Sequence, residues 1–327
     1  MKGGAVQERW WDRIVRRSTR AFMREARQAQ DFSLFDLLHG YVYARWPYFY
    51  IGIGTGEHPY TKRLAPLIRF IGRVWHPQQQ DRNGKQGEQQ AVSFADTYHG
   101  KVVPLRAARQ LVTIREEIRR PNLEQVIPYT RARDLILKNP DHIIALDCPC
   151  RVARSNPCLP LDVCLIVGEP FASFVSEHHP QRARWISASE AEAILQAEDE
   201  RGHVHHAFFK DAMLNRFYAI CNCCACCCGA MQAQRNGTPM LASSGYVAQV
   251  DEALCIGCMD CQDFCQFGAL SLEGILMHVD REICMGCGVC VSKCQQNALS
   301  LERQVDKGEP LEIMELLLAL PEETGLQ

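Results

Sequence analysis

The sequence lacks any long apolar run, and this absence excludes several classes of protein. A membrane-spanning helix needs about 20 predominantly apolar residues, whereas the most aromatic stretch, residues 37–53, contains His39, Arg45 and Pro47. A secretory segment needs an apolar core of about 7–15 residues, and residues 1–27 hold only isolated apolar residues between arginines. We therefore predict no membrane span and no secretory leader, and we expect a cytoplasmic protein.

The chain also lacks a large net charge and a nucleotide fingerprint. Its formal net charge is −2, and no DNA-binding signature is recognisable, so we predict no nucleic-acid partner. The glycines of residues 52–56 are spaced Gly-x-Gly-x-Gly, which is not the GxGxxG spacing of a dinucleotide site. The sequence therefore nominates no catalytic residue.

The charges are unevenly distributed along the chain. Residues 1–30 carry eight Lys and Arg against three Asp and Glu, and residues 302–327 carry two against seven. From Glu8 to Ala29, apolar residues recur at helical spacing between arginines, which predicts a basic amphipathic helix. Such a helix either docks on its own protein or contacts a membrane surface or an acidic partner.

Hydrophobic patterning predicts three further helices and two buried strands. A polar loop at residues 77–90 suggests a boundary, and Ser189 with Glu192 has the pattern of a capping box. Both predicted strands end in a Cys-x-Cys motif. The helices are expected at 124–138, interrupted near Pro128, at about 190–201 and at 311–320, and the strands at 142–147 and 214–220.

Cysteine is abundant, with eighteen residues in the chain. Thiols at this density stay unpaired only in a reducing compartment or when they bind a metal. Eight of them form two copies of one pattern, C-x2-C-x2-C-x3-C, within a repeat of residues 250–273 as 279–302. Zinc sites use CxxC pairs separated by longer gaps, so this run favours iron–sulfur clusters. The copies are Cys255, Cys258, Cys261 and Cys265, and Cys284, Cys287, Cys290 and Cys294.

Through these motifs, residues 246–303 resemble the bacterial two-cluster ferredoxin domain. The resemblance implies two [4Fe–4S] clusters whose fourth ligands cross between the copies. One cluster is then held by Cys255, Cys258, Cys261 and Cys294, and the other by Cys284, Cys287, Cys290 and Cys265. The chain departs from the family where proline usually follows the fourth cysteine, because Gln266 and Gln295 stand there. The acidic residues around the motifs form either an ordinary solvated surface or a docking face for a basic redox partner.

The expected fold is α+β. It consists of a pseudo-twofold ferredoxin domain with two short hairpins and two helices, appended to a mixed α/β cysteine-rich domain with a helical N-terminal region. The expected domains are 1–140, helical and basic; 141–235, cysteine-rich; 246–303, ferredoxin; and 304–327, an acidic helix and tail.

Ten cysteines lie upstream of the ferredoxin motifs and predict at least one further metal centre. We expect it to be assembled from the two Cys-x-Cys motifs with Cys158 or Cys164. An additional [4Fe–4S] cluster is the first choice, a cluster using more than four cysteines the second and zinc the third. His205 is the nominated histidine ligand. The cysteines are Cys148, Cys150, Cys158, Cys164, Cys221, Cys223, Cys224, Cys226, Cys227 and Cys228.

Residues 140–230 more loosely resemble a cysteine-rich module that precedes ferredoxin domains in uncharacterised iron–sulfur proteins of anaerobic bacteria. The resemblance rests on Cys148-Pro-Cys150-Arg151, Cys158, Cys164, Gly202-His-Val-His205 and the run from Cys221 to Cys228. It implies no known activity.

Three functions remain open. The first is an electron carrier or iron–sulfur subunit of a redox complex, with the upstream centre as a third station. The alternative is a reductase whose upstream centre binds and reduces a substrate, so the sequence leaves open whether the protein is an enzyme. An iron sensor or assembly protein is the third, disfavoured by the lack of a DNA-binding signature.

Overall fold

An eight-stranded sheet dominates the computed structural model, which describes residues 15–29, 33–58, 60–61, 98–129 and 133–318. With strands numbered in chain order, their order across the sheet is β2-β3-β4-β7-β6-β1-β8. The eighth strand, β5, pairs with β3 outside this series. β8 pairs parallel with β1, and the other pairings between these strands are antiparallel. The strands are β1 (Tyr98–Val102), β2 (Ile118–Arg120), β3 (Leu135–Leu146), β4 (Cys164–Glu169), β5 (Ala183–Ile186), β6 (Val204–Lys210), β7 (Arg216–Cys223) and β8 (Leu241–Ala242).

Helices cover both faces of this sheet. One face buries the helical residues Phe22, Tyr43 and Phe174, and the opposite face buries Leu111 and Leu195. The helices are α1 (Arg17–Gln28), α2 (Leu34–Arg45), α3 (Pro47–Gly54), α4 (Leu105–Thr113), α5 (Pro149–Val152), α6 (Phe171–His178), α7 (Ala188–Glu200) and α8 (Gly229–Arg235). The fold is therefore mixed α and β, as expected.

The basic helix predicted at the N-terminus is present as α1, in the part that the structure describes. Phe22 is fully buried against the rings of Phe171 and Phe174. On the same helix, Glu25 Oε1 lies 2.7 Å from Lys138 Nζ. The apolar face of α1 therefore docks on its own protein. Residues 8–14 of the prediction lie outside the described residues.

The helix expected at 124–138 is wrong. Residues 135–137 begin β3, where Leu135 and Leu137 are buried and the residue between them is not. The ladder between β3 and β4 is irregular between Lys138 and Ile143, around Pro140, because proline has no N–H to donate. The strand predicted at 142–147 is the second half of β3. Since β3 crosses residue 140, the strands β1, β2 and the first half of β3 share one sheet with strands of the cysteine-rich segment.

Two other predicted elements appear with changed ends. Helix α7 matches the helix expected at 190–201, but its N-cap is Ser187, whose Oγ accepts from the Glu190 N–H at 3.2 Å. Strand β7 matches the strand expected at 214–220, and it carries the Cys221-Asn-Cys223 motif within its last residues.

The C-terminal part adds two small two-stranded sheets. β10 (Leu270–Glu273) and β11 (Leu276–Val279) form a hairpin, and β9 (Tyr246–Val250) pairs with β12 (Leu299–Arg303). The expected second hairpin is thus wrong, because its strands come from the two ends of the repeat. The facing pairs Leu270/Val279 and Leu299/Val250 are related by the repeat offset. Short helices α9 (Asp260–Asp263) and α10 (Val289–Lys293) complete this unit.

The last described helix, α11 (Ile313–Leu318), packs back on the large sheet. Leu311 and Ile313 are buried in the core that includes Leu111. The predicted helix began at 311, but residues 311 and 312 precede α11, and residues 319 and 320 lie outside the described residues. None of the helices described is long and apolar enough to cross a membrane.

Candidate metal centres

The eight cysteines of the repeated motifs line two cavities of about 20 Å³ each. Each cavity takes three cysteines from one copy of the repeat and one from the other. We call them the distal cavity and the proximal cavity, by their distance from the large sheet. The distal cavity is lined by Cys255, Cys258, Cys261 and Cys294, and the proximal cavity by Cys265, Cys284, Cys287 and Cys290.

Backbone N–H groups point at sulfurs in both cavities. The Ala269 N–H lies 3.2 Å from Cys265 Sγ, and at the equivalent position of the repeat the Ala298 N–H lies 3.3 Å from Cys294 Sγ. Such donors favour thiolate over thiol. The cysteines form no disulfide in the structure. Two sets of four thiols around a small cavity, with donors to the sulfurs, therefore fit iron–sulfur clusters.

The two cavities differ in exposure. Beside the distal cavity, Cys258 is exposed and Ile256 is 66% exposed. The proximal cavity lies against the large sheet, because Val289 of its α10 is buried together with Val102 and Val204. The proximal site therefore faces the rest of the protein and the distal site faces solvent.

The ten upstream cysteines fall into two sets. We call Cys158, Cys224, Cys226 and Cys227 the four-cysteine group; their sulfurs all lie within 4.8 Å of one another. The other six form the six-cysteine ring around a cavity of about 70 Å³. Cys224 and Cys227 also line that cavity, so the two sets adjoin. The ring consists of Cys148, Cys150, Cys164, Cys221, Cys223 and Cys228.

The four-cysteine group lies on two loops near the surface. Cys158 Sγ is 3.1 Å from Cys226 Sγ, which is 3.6 Å from Cys227 Sγ. The loop after β7 is fixed by side chains that donate to its carbonyls. Gln232 Nε2 donates to Cys226 O at 3.2 Å, and Arg154 Nη2 donates to Cys227 O at 3.2 Å. These bonds position the loop that carries Cys226 and Cys227.

The six-cysteine ring is built by neighbouring strands. Cys164 opens β4 and faces Cys221 of β7 in register, with 3.6 Å between the sulfurs. Contacts between neighbouring thiols then lead from Cys164 through Cys148, Cys150 and Cys228 to Cys223. The hydrogen bond with the Cys150 thiol and burial raise the pKa of Cys148 to about 12. Thiols this crowded cannot all ionise unless a cation lies among them.

A buried cation stands beside both sets. Arg151 is 1% exposed, and its Nη2 lies 2.5 Å from Glu198 Oε2. Although burial opposes it, the charge of Glu198 holds the pKa of Arg151 above its ordinary value, and Cys148 and Cys224 act in the same direction. Arg151 also donates to Pro160 O at 2.5 Å. It thus ties the loop of Cys158 to α7. In the sequence, the one sign of this role is that Arg151 directly follows the Cys148-Pro-Cys150 motif.

One side chain links the ferredoxin repeat to the four-cysteine group. Gln266, which follows Cys265 of the proximal cavity, accepts a hydrogen bond from the Ala225 N–H at 2.8 Å. Ala225 stands between Cys224 and Cys226. The sequence marked Gln266 as unusual for lacking proline, and the structure gives it a partner.

His205 is buried away from both cysteine sets. Its Nδ1 lies 2.6 Å from Asn222 Oδ1, and its Nε2 lies 3.9 Å from Asp199 Oδ1. Side chains alternate along a strand, so His205 of β6 shares a sheet face with Ala207, whereas Phe208 shares the face of Cys164 and Cys223. Burial lowers the pKa of His205. Its role as a ligand stays a prediction that no contact supports.

A larger cavity of about 340 Å³ adjoins the ring at Cys150. Tyr43 and Tyr50 line it together with Lys210, whose Nζ lies 4.8 Å from the centre of the Tyr43 ring. Burial lowers the pKa of Lys210 to about 8, against the opposing charge of Asp211. Lys210 is therefore still mostly cationic at neutral pH. Sequence reasoning missed this cavity, because its residues come from five separate segments.

Comparison with known proteins identifies the C-terminal part. Residues 248–271 and 277–300 both match the family model of the 4Fe-4S binding domain. No curated protein matches the chain. The match supports iron–sulfur binding by residues 248–300, and the ten upstream cysteines lie outside the matched residues.

Proposed function

We propose that the protein transfers single electrons between a partner and an upstream metal centre through two [4Fe–4S] clusters. The observation that carries this proposal is the contact of Gln266 with Ala225, which joins a proximal ligand segment to the upstream cysteines. In this arrangement the distal site exchanges electrons with a partner, and the proximal site faces the upstream centre. The clusters would supply one-electron redox chemistry.

The ligands follow from the cavities. Cys255, Cys258, Cys261 and Cys294 would hold the distal cluster, and Cys265, Cys284, Cys287 and Cys290 the proximal one. Backbone N–H groups at Ala269 and Ala298 would stabilise the more negative, reduced state. The upstream cysteines supply the third centre.

The exposed distal face is the proposed docking site for a basic redox protein. Leu254 and Ile256 are 47% and 66% exposed there, and Asp260 and Asp263 of the same segment are exposed as well. Complementary charge speeds encounter between redox partners. A cytoplasmic location and a role for the basic N-terminal helix in binding a membrane surface or an acidic partner stay predictions.

Replacing Gln266 by proline should slow electron transfer from the proximal cluster to the upstream centre. The substitution restores the usual residue of the family and removes the acceptor for the Ala225 N–H. A hydrogen bond contributes about 1 kcal/mol, so we expect about a fivefold slower reduction of the upstream centre. Rapid-mixing experiments with freeze-quenched EPR would measure it after reduction of the ferredoxin clusters.

Gln295→Pro is the matched control, because Gln295 occupies the equivalent repeat position and is exposed. It should leave the rate unchanged. Equal slowing in both variants would mean that proline alters cluster potentials, and it would remove the structural support for this electron route.

The second candidate function is a reductase, and the cavity of about 340 Å³ favours it. Its volume lies in the range of small-molecule sites, and one wall is Cys150 of the ring. Lys210 would attract an anionic substrate. Such a molecule would lie beside the upstream centre and receive electrons from the ferredoxin part.

Ala233→Trp should block that cavity, because Ala233 lines it from α8. We expect anionic acceptors of carboxylate type to reoxidise the reduced wild-type protein faster than neutral acceptors of equal size. Ala233→Trp should slow reoxidation by the anionic acceptors at least tenfold and leave the iron content unchanged. Stopped-flow absorbance would follow it.

Ala193→Trp provides the control, since Ala193 is exposed on α7 and does not line the cavity. If both variants react at the wild-type rate, acceptors take electrons elsewhere and the protein is an electron carrier only.

A further inference from the structure

The ten upstream cysteines form two sites of different geometry. The four-cysteine group is compact, with sulfur separations of 3.1 and 3.6 Å and none above 4.8 Å. Four thiolates at about 2.3 Å from one tetrahedral ion stand about 3.8 Å apart. The group therefore has the dimensions of a site for a single metal ion.

The six-cysteine ring has no such compact set. Among the residues described, the four-cysteine group alone has three or more His, Cys, Asp or Glu ligand atoms mutually within 4.8 Å. The ring sulfurs instead surround a cavity of about 70 Å³. A cluster with several irons needs this arrangement, because each thiolate binds a different iron.

The ferredoxin repeat provides a reference within the same molecule. Its eight cysteines belong to a family that binds [4Fe–4S] clusters, and they too surround cavities without forming a compact set. The ring resembles these cluster sites in layout. The four-cysteine group does not.

The surroundings of the two sites also indicate a single ion in the four-cysteine group and a cluster in the ring. The four-cysteine group joins two loops, at Cys158 and at residues 224–227, and Cys226 is exposed. The ring is buried between β4, β7 and the helix ends, with Cys164, Cys223 and Cys228 all at most 5% exposed. A single ion that joins loops suits a structural role, whereas a buried cluster suits electron storage.

We infer that the upstream region holds two metal centres: a single tetrahedral ion of the zinc type on the four-cysteine group, and a polynuclear iron–sulfur cluster in the six-cysteine ring. The ring cluster is then the third station of the proposed electron route, a role that rests on the proposed function. The single ion fixes the loop that contacts Gln266.

The test compares two double substitutions after anaerobic purification. Cys158→Ser with Cys226→Ser should remove one metal ion per chain and no acid-labile sulfide. Cys164→Ser with Cys221→Ser should remove iron and sulfide together and keep the single ion. The eight iron atoms expected for the two ferredoxin clusters report whether each variant has folded. The single exposed variant Cys226→Ser serves where a double variant does not fold.

Loss of sulfide together with iron from the Cys158 and Cys226 variant would overturn the inference, as would retention of all metal. Co²⁺ substitution adds a second readout. The wild type should show the visible bands of tetrathiolate cobalt, which the Cys158 and Cys226 variant should lose.

The same samples separate this inference from the proposed function. If the metal contents are as expected but reduced ferredoxin clusters never reduce the ring cluster, the electron route fails and the two sites stand. If electrons reach an upstream centre whose metals are differently distributed, the route stands and the division of the cysteines fails.

Discussion

Replacing Arg151 by methionine should destabilise the protein by about 3 kcal/mol or more, because it leaves the Glu198 carboxylate charged in a buried site. Glu198 is fully buried, and Arg151 and His203 both bind it. Burial opposes its ionisation, yet the hydrogen bond from His203 and the charge of Arg151 hold its pKa below the ordinary value. Arg201, 3.0 Å from Glu198 Oε1, compensates part of the loss.

Denaturation by guanidinium under anaerobic conditions would measure this effect, with upstream iron content as a second readout. Arg184→Met is the matched control, since Arg184 is about half exposed and pairs with Glu190 and with Asp162, whose Oδ2 lies 2.9 Å away. An exposed pair contributes at most about 1 kcal/mol. Arg151→Met combined with Glu198→Met should recover much of the loss, because removing both charges leaves no unpaired ion.

If Arg151→Met costs no more than the Arg184 control, the buried pair does not hold the two cysteine sets in place. The layout of the upstream centres would then depend on the bound metals alone.

Gly286→Ala should destabilise the ferredoxin part by about 2–5 kcal/mol and empty the proximal site. Gly286 has φ +64°, and a Cβ there would lie 2.1 Å from Tyr246 O and 2.3 Å from Ser244 Oγ. Left-handed backbone costs an L-residue about 1–2 kcal/mol, and overpacking adds about 1–3 kcal/mol or more. Tyr246 begins β9, so the strand itself would have to move.

The control is Gly268→Ala. Gly268 has φ +72° but no atom within 4 Å of its added Cβ, so only the backbone strain of about 1–2 kcal/mol applies. Iron and sulfide analysis should show four of each lost in Gly286→Ala and none in Gly268→Ala. Equal losses in both would mean that strain, and not the close approach of β9, makes glycine necessary.

Gly257 and Gly286 stand at equivalent positions of the repeat, and both have a positive φ. The structure shows that each allows a carbonyl to approach closely, because an added Cβ would lie 2.3 Å from Ile275 O at Gly257 and 2.1 Å from Tyr246 O at Gly286. The residue type was predictable from local spacing, whereas its neighbour comes from a segment 18 or 40 positions away.

Predictions failed where tertiary contacts overrode local pattern. Residues 124–138 have helical spacing of apolar residues, but Leu135 and Leu137 are buried by pairing with β2. Likewise, the repeat suggested two hairpins, but the second pair joins β9 to β12, the first and last strands of the ferredoxin part. Sequence patterns record local periodicity and do not record which distant strand is the partner.

By itself, the sequence identified the 4Fe-4S binding part, because the C-x2-C-x2-C-x3-C run is diagnostic of such sites and the duplication repeats it. Only the tertiary structure divided the upstream cysteines. Cys227 and Cys228 are adjacent yet belong to different sets, because the chain turns into α8 between them. Cys158 and Cys164 are separated because β4 pairs with β7, which carries Cys164 to Cys221. Thiol spacing cannot encode that long-range pairing, and the pairing decides which thiols lie together.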